Sequence, residues 1–324
     1  DPIMCLELDL NNNFQPIGEP DSLIFANTSE FGWENPGDNN ELTNQAPWLE
    51  GAWMTKNNGL YYLQYSGPGT EYKSYTDAVY ISDSPLGNFR PAEHNPMAYK
   101  PGGFISGLGH GSVFQDNFGN HWHVGTMSIS VKHKFERRIG MVPVFYDKDN
   151  NMFARTDWAD YPFFIPEKKI NSAREIETGW MLLSYSKPTK VSSQIKNHPS
   201  VNAVNEDVRS YWSAKSGNPG EWISINLEET YRVYGVQVNF AQEDTKIYGR
   251  NSETVHHQFK IEYSTNGKNW KTLIDNSNNQ SDTPHAYFSL KQPINAQFIK
   301  LTNQHIPGGK FAISGFRIFG KGDG

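Results

Sequence analysis

Short stretches in which apolar and polar residues alternate recur along the whole chain, separated by turns rich in Gly, Asn and Asp, and helical periodicity is nearly absent. This period-two pattern predicts an all-β protein. Clear instances are residues 60–65 after Asn57-Asn58-Gly59, residues 121–127 after Asn117-Phe118-Gly119-Asn120, and residues 141–146 before Asp147-Lys148-Asp149-Asn150. In the first half the hairpins are spaced like the blade units of a propeller. The character changes near residues 184–191, where Tyr185-Ser186-Lys187-Pro188-Thr189-Lys190 reads as a short connection. Beyond it, strands are predicted at 222–227, 233–240, 258–263, 270–274, 298–302 and 316–319, with an Asn266-Gly267 hairpin signal among them. The expected organisation is a propeller-type module over 1–185 and a β-sandwich over 187–322.

Composition narrows the function. The chain has 324 residues, enough for two cores. Its 29 Lys+Arg against 35 Asp+Glu, without a basic run, argue against a nucleic-acid partner. Nine Trp and 16 Tyr supply flat apolar faces with polar tips, which suit sugar rings as well as β cores. The single cysteine, Cys5, excludes an internal disulfide and a cysteine-rich zinc site. No stretch approaches the roughly 20 apolar residues of a membrane helix. The opening Asp1-Pro2-Ile3-Met4 lacks the features of a signal peptide. A secreted, periplasmic or cell-surface protein is expected, either with its export signal removed or beginning in mid-protein.

Chemistry concentrates in Ala46-Pro47-Trp48-Leu49-Glu50-Gly51-Ala52-Trp53, followed by Gly59-Leu60-Tyr61-Tyr62-Leu63-Gln64-Tyr65-Ser66. A carboxylate flanked by Trp, Leu and Gly is unusual for a surface Glu. Apolar neighbours would raise its pKa and keep it protonated, as a glycosidic general acid requires. A buried Glu satisfied by backbone donors fits the residues equally well. Trp33, Trp48 and Trp53 are candidate sugar platforms, with Trp48 favoured because it lies two residues before Glu50. His121 and His123 share a strand face, as a metal pair or simply as strand neighbours. Asp147-Lys148-Asp149-Asn150-Asn151 has a calcium-loop flavour but lacks the Gly and distal Glu of an EF-hand, so a turn is expected.

The Glu50 segment resembles the general-acid segment of glycoside hydrolase family 43, whose members are five-bladed propellers that remove arabinose, xylose or galactose units. Ser106-Gly107-Leu108-Gly109-His110-Gly111-Ser112 resembles the family's Gly-His segment, which implies a channel-lining His110 that contacts a cation through its shell. Glu136-Arg137-Arg138-Ile139-Gly140 resembles the segment presenting a substrate-contacting Arg, with Arg137 the better match and Arg138 the second. The resemblance implies an inverting hydrolase. Glu50 would protonate the leaving oxygen while an Asp ~6.5–9.5 Å away activates water, and a second Asp would tune the acid and hold the sugar.

The chain departs from the family pattern at those partner carboxylates. The run from Met4 to Gly18 resembles the strands that follow the second family Asp, and Asp1 matches neither motif. Asp77, Asp157 and Asp160 lack the expected context; Asp160-Tyr161-Pro162 resembles the family's closing segment. The N-terminal blades are therefore expected to lie outside this chain, in a longer protein or on another chain, and the 324 residues alone are expected to turn over poorly.

Asn205-Glu206-Asp207-Val208-Arg209-Ser210-Tyr211-Trp212, Gly220-Glu221-Trp222 and Glu262-Tyr263-Ser264-Thr265-Asn266-Gly267 occur in the order of a discoidin, or coagulation factor V/VIII C-type, domain, and resemble it over 187–322. The resemblance implies a jelly-roll sandwich that binds carbohydrate or only packs on the propeller. It also implies a structural Ca2+ held by Asn205 and Asp207, although Gly315 stands where the usual Glu ligand would be. The expected function is that of an α-L-arabinofuranosidase removing terminal arabinofuranose from plant-type oligo- or polysaccharides, with β-xylosidase or galactosidase action next. The alternative is a non-catalytic carbohydrate-binding protein or an inactive fragment.

Overall fold

The computed structural model describes residues 2–129, 137–175, 179–245 and 255–322. They divide into two compact units, the first within 2–175 and the second within 179–322.

The first unit opens with a hairpin of β1 (Ile3–Asp9) and β2 (Gln15–Ile24). Two four-stranded antiparallel meanders follow. One is β3 (Glu50–Asn57), β4 (Leu60–Gly67), β5 (Thr76–Ser82) and β6 (Arg90–Pro91). The other is β7 (Ser106–Gln115), β8 (His121–Ser128), β9 (Arg137–Tyr146) and β10 (Met152–Ala154). Each meander has the connectivity of a propeller blade, so the unit is a partial β-propeller.

Local chemistry sets the turns. Asn58 and Gly59 both have positive φ, 48° and 83°, and join β3 to β4 with Asn57 opposite Leu60, as a two-residue primed turn requires. Two other turns share one device. Asp116 accepts the amides of Phe118 and Asn120, and Asp147 accepts those of Asp149 and Asn151. The Asp147 segment is thus a β-turn that uses its carboxylate internally.

Burial in β4 differs from the alternation that its sequence suggests. Residues 62–67 are all buried because both faces of this blade are covered. Tyr62 joins Val79, Leu108, Trp122 and Val142 in one core, while Leu63 and Tyr65 join Ile3, Ile24 and Leu49 in another. The hairpin is covered on one side only: Met4, Leu6 and Leu8 of β1, with Phe14 and Ile17, remain exposed.

The second unit is a β-sandwich of jelly-roll type. It comprises β11 (Met181–Leu182), β12 (Thr189–Val191), β13 (Trp212–Ser213), β14 (Trp222–Phe240), β15 (Gln258–Ser264), β16 (Lys271–Asp275), β17 (His285–His305) and β18 (Ala312–Lys321). The segments expected as separate strands at 222–227 and 233–240 form one long β14. It breaks register against β17 between Asn226 and Tyr231, and again between Val233 and Gly235. Ile223, Ile225, Leu227, Val233, Val236 and Val238 alternate into one core with Trp212 and Phe316. The Asn266-Gly267 pair lies in the loop between β15 and β16, where the Asn266 side chain accepts the amides of Lys268 and Asn269. β11 pairs with β18, so Met181–Leu182, which the sequence division at 185 assigns to the first module, belongs to the second unit's sheet.

Candidate active site

Glu50 is the first residue of β3, and in-register pairing places Glu50, Ser66 and Asp77 in one row across β3, β4 and β5. Gly51 lets this row approach β7. Its φ is +66°, and an added Cβ would lie 2.7 Å from Ser66 Oγ and 3.0 Å from His110 Cα. That close approach explains why Gly follows the acid.

The Glu50 carboxylate is partly open, with 29% of the side chain exposed. Its Oε1 accepts the Tyr75 hydroxyl at 2.6 Å and lies 3.7 Å from His110 Nδ1. Burial, reinforced by the bond to Glu50, pushes the Tyr75 hydroxyl well above the ordinary phenol range, so Tyr75 remains a donor. Oε2 makes no hydrogen bond among the described residues. The apolar enclosure expected from Trp48, Leu49 and Trp53 is not what the fold builds. Leu49 turns into the core, Trp48 is 63% exposed, and a tyrosine hydroxyl is the group that meets the carboxylate.

Glu50 and Trp48 line a cleft of about 410 Å³ together with Gln45, Thr70, Glu71 and Tyr72. Arg137 Nη1 donates to Thr70 Oγ1 at 2.8 Å, which brings Arg137 to the rim. Arg138 is exposed, and its Nη1 donates to the Arg137 carbonyl. Trp53 ties β3 to β7 through Nε1–H to the Val113 carbonyl at 3.1 Å and is not among the lining residues. Trp33 packs on Tyr65 beneath the hairpin, so it serves the core.

Sequence reasoning missed Tyr75 and Glu71. Glu71 is the other carboxylate of the cleft lining, and it follows the turn Gly67-Pro68-Gly69-Thr70 at the end of β4. Only the signal that a turn there faces the Glu50 end of the blade could have found it.

Asp77, Asp157 and Asp160, the carboxylates that the sequence left in this module, are engaged elsewhere. Asp77 is fully buried, and burial raises its pKa against the opposing pull of His123, Ser66 and the Gly111 amide. Asp157 pairs with Arg155 at 2.7 Å and Asp160 with Lys100 at 2.8 Å; Asp1 lies outside the described residues. The two histidines of β8 also part company. His123 is buried against Asp77 at 3.3 Å, whereas His121 packs edge-on against Tyr146.

The residues named as metal donors also make contacts within the protein. Among the described residues, no three His, Cys, Asp or Glu side chains converge on a point. His110 is directed at Glu50. Asn205 Oδ1 accepts the Asp207 amide and Asp207 Oδ1 the Arg209 amide, so both close their own loop. Between them, Glu206 is paired with the buried Arg317 at 2.7 Å, which places a guanidinium charge beside that loop. No helix of the described chain is long and apolar enough to cross a membrane.

Comparison with known proteins gives two matching families: glycosyl hydrolases family 43 over residues 11–152 and the F5/8 type C domain over residues 188–314. Among curated proteins, neuropilin-1 of Mus musculus is 31% identical over 91 residues, which are 25% of this chain and 9% of the relative. EGF-like repeat and discoidin I-like domain-containing protein 3 of Homo sapiens is 31% identical over 102 residues, 29% of this chain and 20% of the relative. The chain therefore spans only a small part of the length of these relatives. Among solved structures, a glycoside hydrolase aligns over 97% of this chain and 65% of its own, with 16% identity and a TM-score of 0.46. The family 32 CBM from C. perfringens NanJ, in complex with galactose, aligns over 43% of this chain and 98% of its own, with 14% identity and a TM-score of 0.36. Glu50 and His110 lie within the region that matches glycosyl hydrolases family 43, and most of the sandwich lies within the region that matches the F5/8 type C domain.

Proposed function

We propose that this protein serves as an inverting glycosidase that removes terminal arabinofuranose, xylose or galactose units from plant-type polysaccharide, with Glu50 as general acid. The observation that carries this reading is the state of the Glu50 carboxylate. One oxygen is held by Tyr75, while the other is unengaged at the wall of a cleft that an exposed Trp48 also lines. A carboxyl fixed through one oxygen can offer the proton on the other to a glycosidic oxygen. Trp48 provides a stacking face for the sugar and Arg137 a donor at the rim. Burial keeps Asp77 from water, so it cannot serve as the base. Glu71 is the cleft's other carboxylate. The sandwich is proposed to hold the enzyme on its polysaccharide.

Hydrolysis of aryl α-L-arabinofuranoside, β-xyloside and β-galactoside by this chain and by Glu50→Gln tests the acid role. Loss of general acid catalysis lowers kcat by about 10²- to 10⁴-fold, and equal turnover by both proteins would remove Glu50 from the role. Titration of arabino-oligosaccharide into wild type and Trp48→Ala reads the cleft without turnover. Saccharide binding that depends on Trp48, with no hydrolysis by either protein, would favour the non-catalytic carbohydrate-binding reading.

A further inference from the structure

β7 does not run straight past Glu50. Its register against β8 slips between Gly107 and Gly109 and again between Gly109 and Ser112, leaving His110 and Gly111 outside the ladder. Such a bulge strands backbone amides, and buried stranded amides must find acceptors. Here the neighbouring blade supplies them. The His110 amide donates to Ser66 Oγ at 2.5 Å, and the Gly111 amide to Asp77 Oδ2 at 3.0 Å. Ser66 in turn donates its own proton to Asp77 Oδ1.

The far side of Asp77 is closed by His123, whose Nε2 lies 3.3 Å from Oδ2 and 2.9 Å from the Leu108 carbonyl. Ser66, Asp77 and His123 have no exposed side-chain surface and do not line the cleft, so water cannot stand in for any of them. Gly111 confirms how tight the junction is: an added Cβ would lie 2.1 Å from His123 Cε1 and 2.7 Å from Asp77 Oδ2. The product of these contacts is His110 held at φ 51°, a conformation uncommon for a residue with a side chain, with its imidazole facing Glu50.

We propose that Asp77 is a positioning residue for the Glu50 site: it accepts the Gly111 amide stranded by the β7 bulge and, through Ser66, fixes the His110 amide, so that His110 is set against Glu50. The catalytic part of this proposal rests on the reading of Glu50 as the acid. Asp77 suits the task because a carboxylate offers acceptors on both oxygens. An asparagine has one acceptor and one donor, so it must turn its NH2 toward either the Ser66 hydroxyl or the Gly111 amide.

The test uses the full chain, with amide hydrogen exchange by NMR beside glycoside kinetics. In Asp77→Asn, exchange of the Gly111 amide or of the Ser66-bound His110 amide is expected to rise about tenfold or more while Val113 and Trp122 stay within about threefold. Ser66→Ala should do the same to the His110 amide, and it keeps the proposal testable where Asp77→Asn does not fold. On an aryl glycoside that depends on Glu50, Asp77→Asn should lower kcat about tenfold with KM nearly unchanged. It should add little in a Glu50→Gln background, because the two act through one group. Exchange that is unchanged, or that rises evenly through β7 and β8, would overturn the proposal and leave Asp77 as fold support. A kcat loss of equal size in the Glu50→Gln background would also overturn it. Failure of the Glu50 reading shows separately, as equal turnover by wild type and Glu50→Gln, and leaves the exchange result intact.

Discussion

Replacing Arg317 with alanine removes the cation from a buried fork in the sandwich. Arg317 is 1% exposed. Its Nε and Nη2 donate to the Glu206 carboxylate at 2.9 and 2.7 Å, and its Nη1 donates to Gln237 Oε1 at 2.7 Å. Breaking a buried pair by deleting one partner costs about 3–5 kcal/mol, because the other charge is left uncompensated. Glu206 retains some contact with solvent, 15% of its side chain, which sets the expectation at the lower end, about 3 kcal/mol. Arg317→Lys keeps the charge but loses the planar fork, and should recover roughly half of that. Hydrogen exchange by mass spectrometry isolates the sandwich from the blades. Peptides from β14 and β17 should exchange about a hundredfold faster in Arg317→Ala, while peptides from β3 to β5 are unchanged. A change below about threefold in β14 would refute the reasoning. The same assay reads metal dependence. With Asn205 and Asp207 closing their own loop, about 1 mM calcium should leave wild-type exchange in the sandwich unaltered.

Two further outcomes concern the first unit. Gly111→Ala forces a Cβ to within 2.1 Å of the buried His123 ring, and should destabilise the unit by about 1–3 kcal/mol, measured as a fall in Tm. Glu34 is fully buried between the Tyr65 hydroxyl and the Asn27 amide, and burial outweighs both bonds to raise its pKa. A carboxyl whose folded pKa is raised binds its proton more tightly in the folded state, so its favourable contribution is present at low pH and is lost as pH rises through the folded value. Thermal unfolding across the acid range should therefore show the Tm of Glu34→Gln gaining on wild type as pH rises. A gap that widens in favour of wild type would contradict this.

The site was legible in part. Glu50 and Trp48 stand in a local motif, and the fold brings them together because two residues apart on a strand start they share one cleft. Arg137 was legible by motif, but its link to that cleft through Thr70 joins residues 67 positions apart. Tyr75 and Glu71 were not legible, because nothing local distinguishes them among the 16 Tyr and 35 acidic residues of the chain until β4 and β5 are paired. The expectation of an apolar surround for Glu50 failed for the same reason. Flanking residues on a strand alternate in direction, so Leu49 leaves for the core and the carboxylate meets Tyr75, just ahead of β5.

What the sequence determined by itself is what short-range chemistry controls. Period-two alternation set the all-β class, Asn58-Gly59 set a primed turn, and the Asp116 and Asp147 turns closed on their own amides. What only the tertiary structure decided depends on covering and pairing. β4 is buried on both faces because layers lie on either side of it, a condition that alternation in one strand cannot encode. The strands at 222–227 and 233–240 merge because both halves pair continuously with β17 through register shifts. Asp77, which no motif marked, becomes the acceptor for a bulge on another blade because in-register pairing puts it opposite Ser66 and beneath Gly111. Local sequence fixes which way a strand turns, and long-range packing fixes what each buried polar group must satisfy.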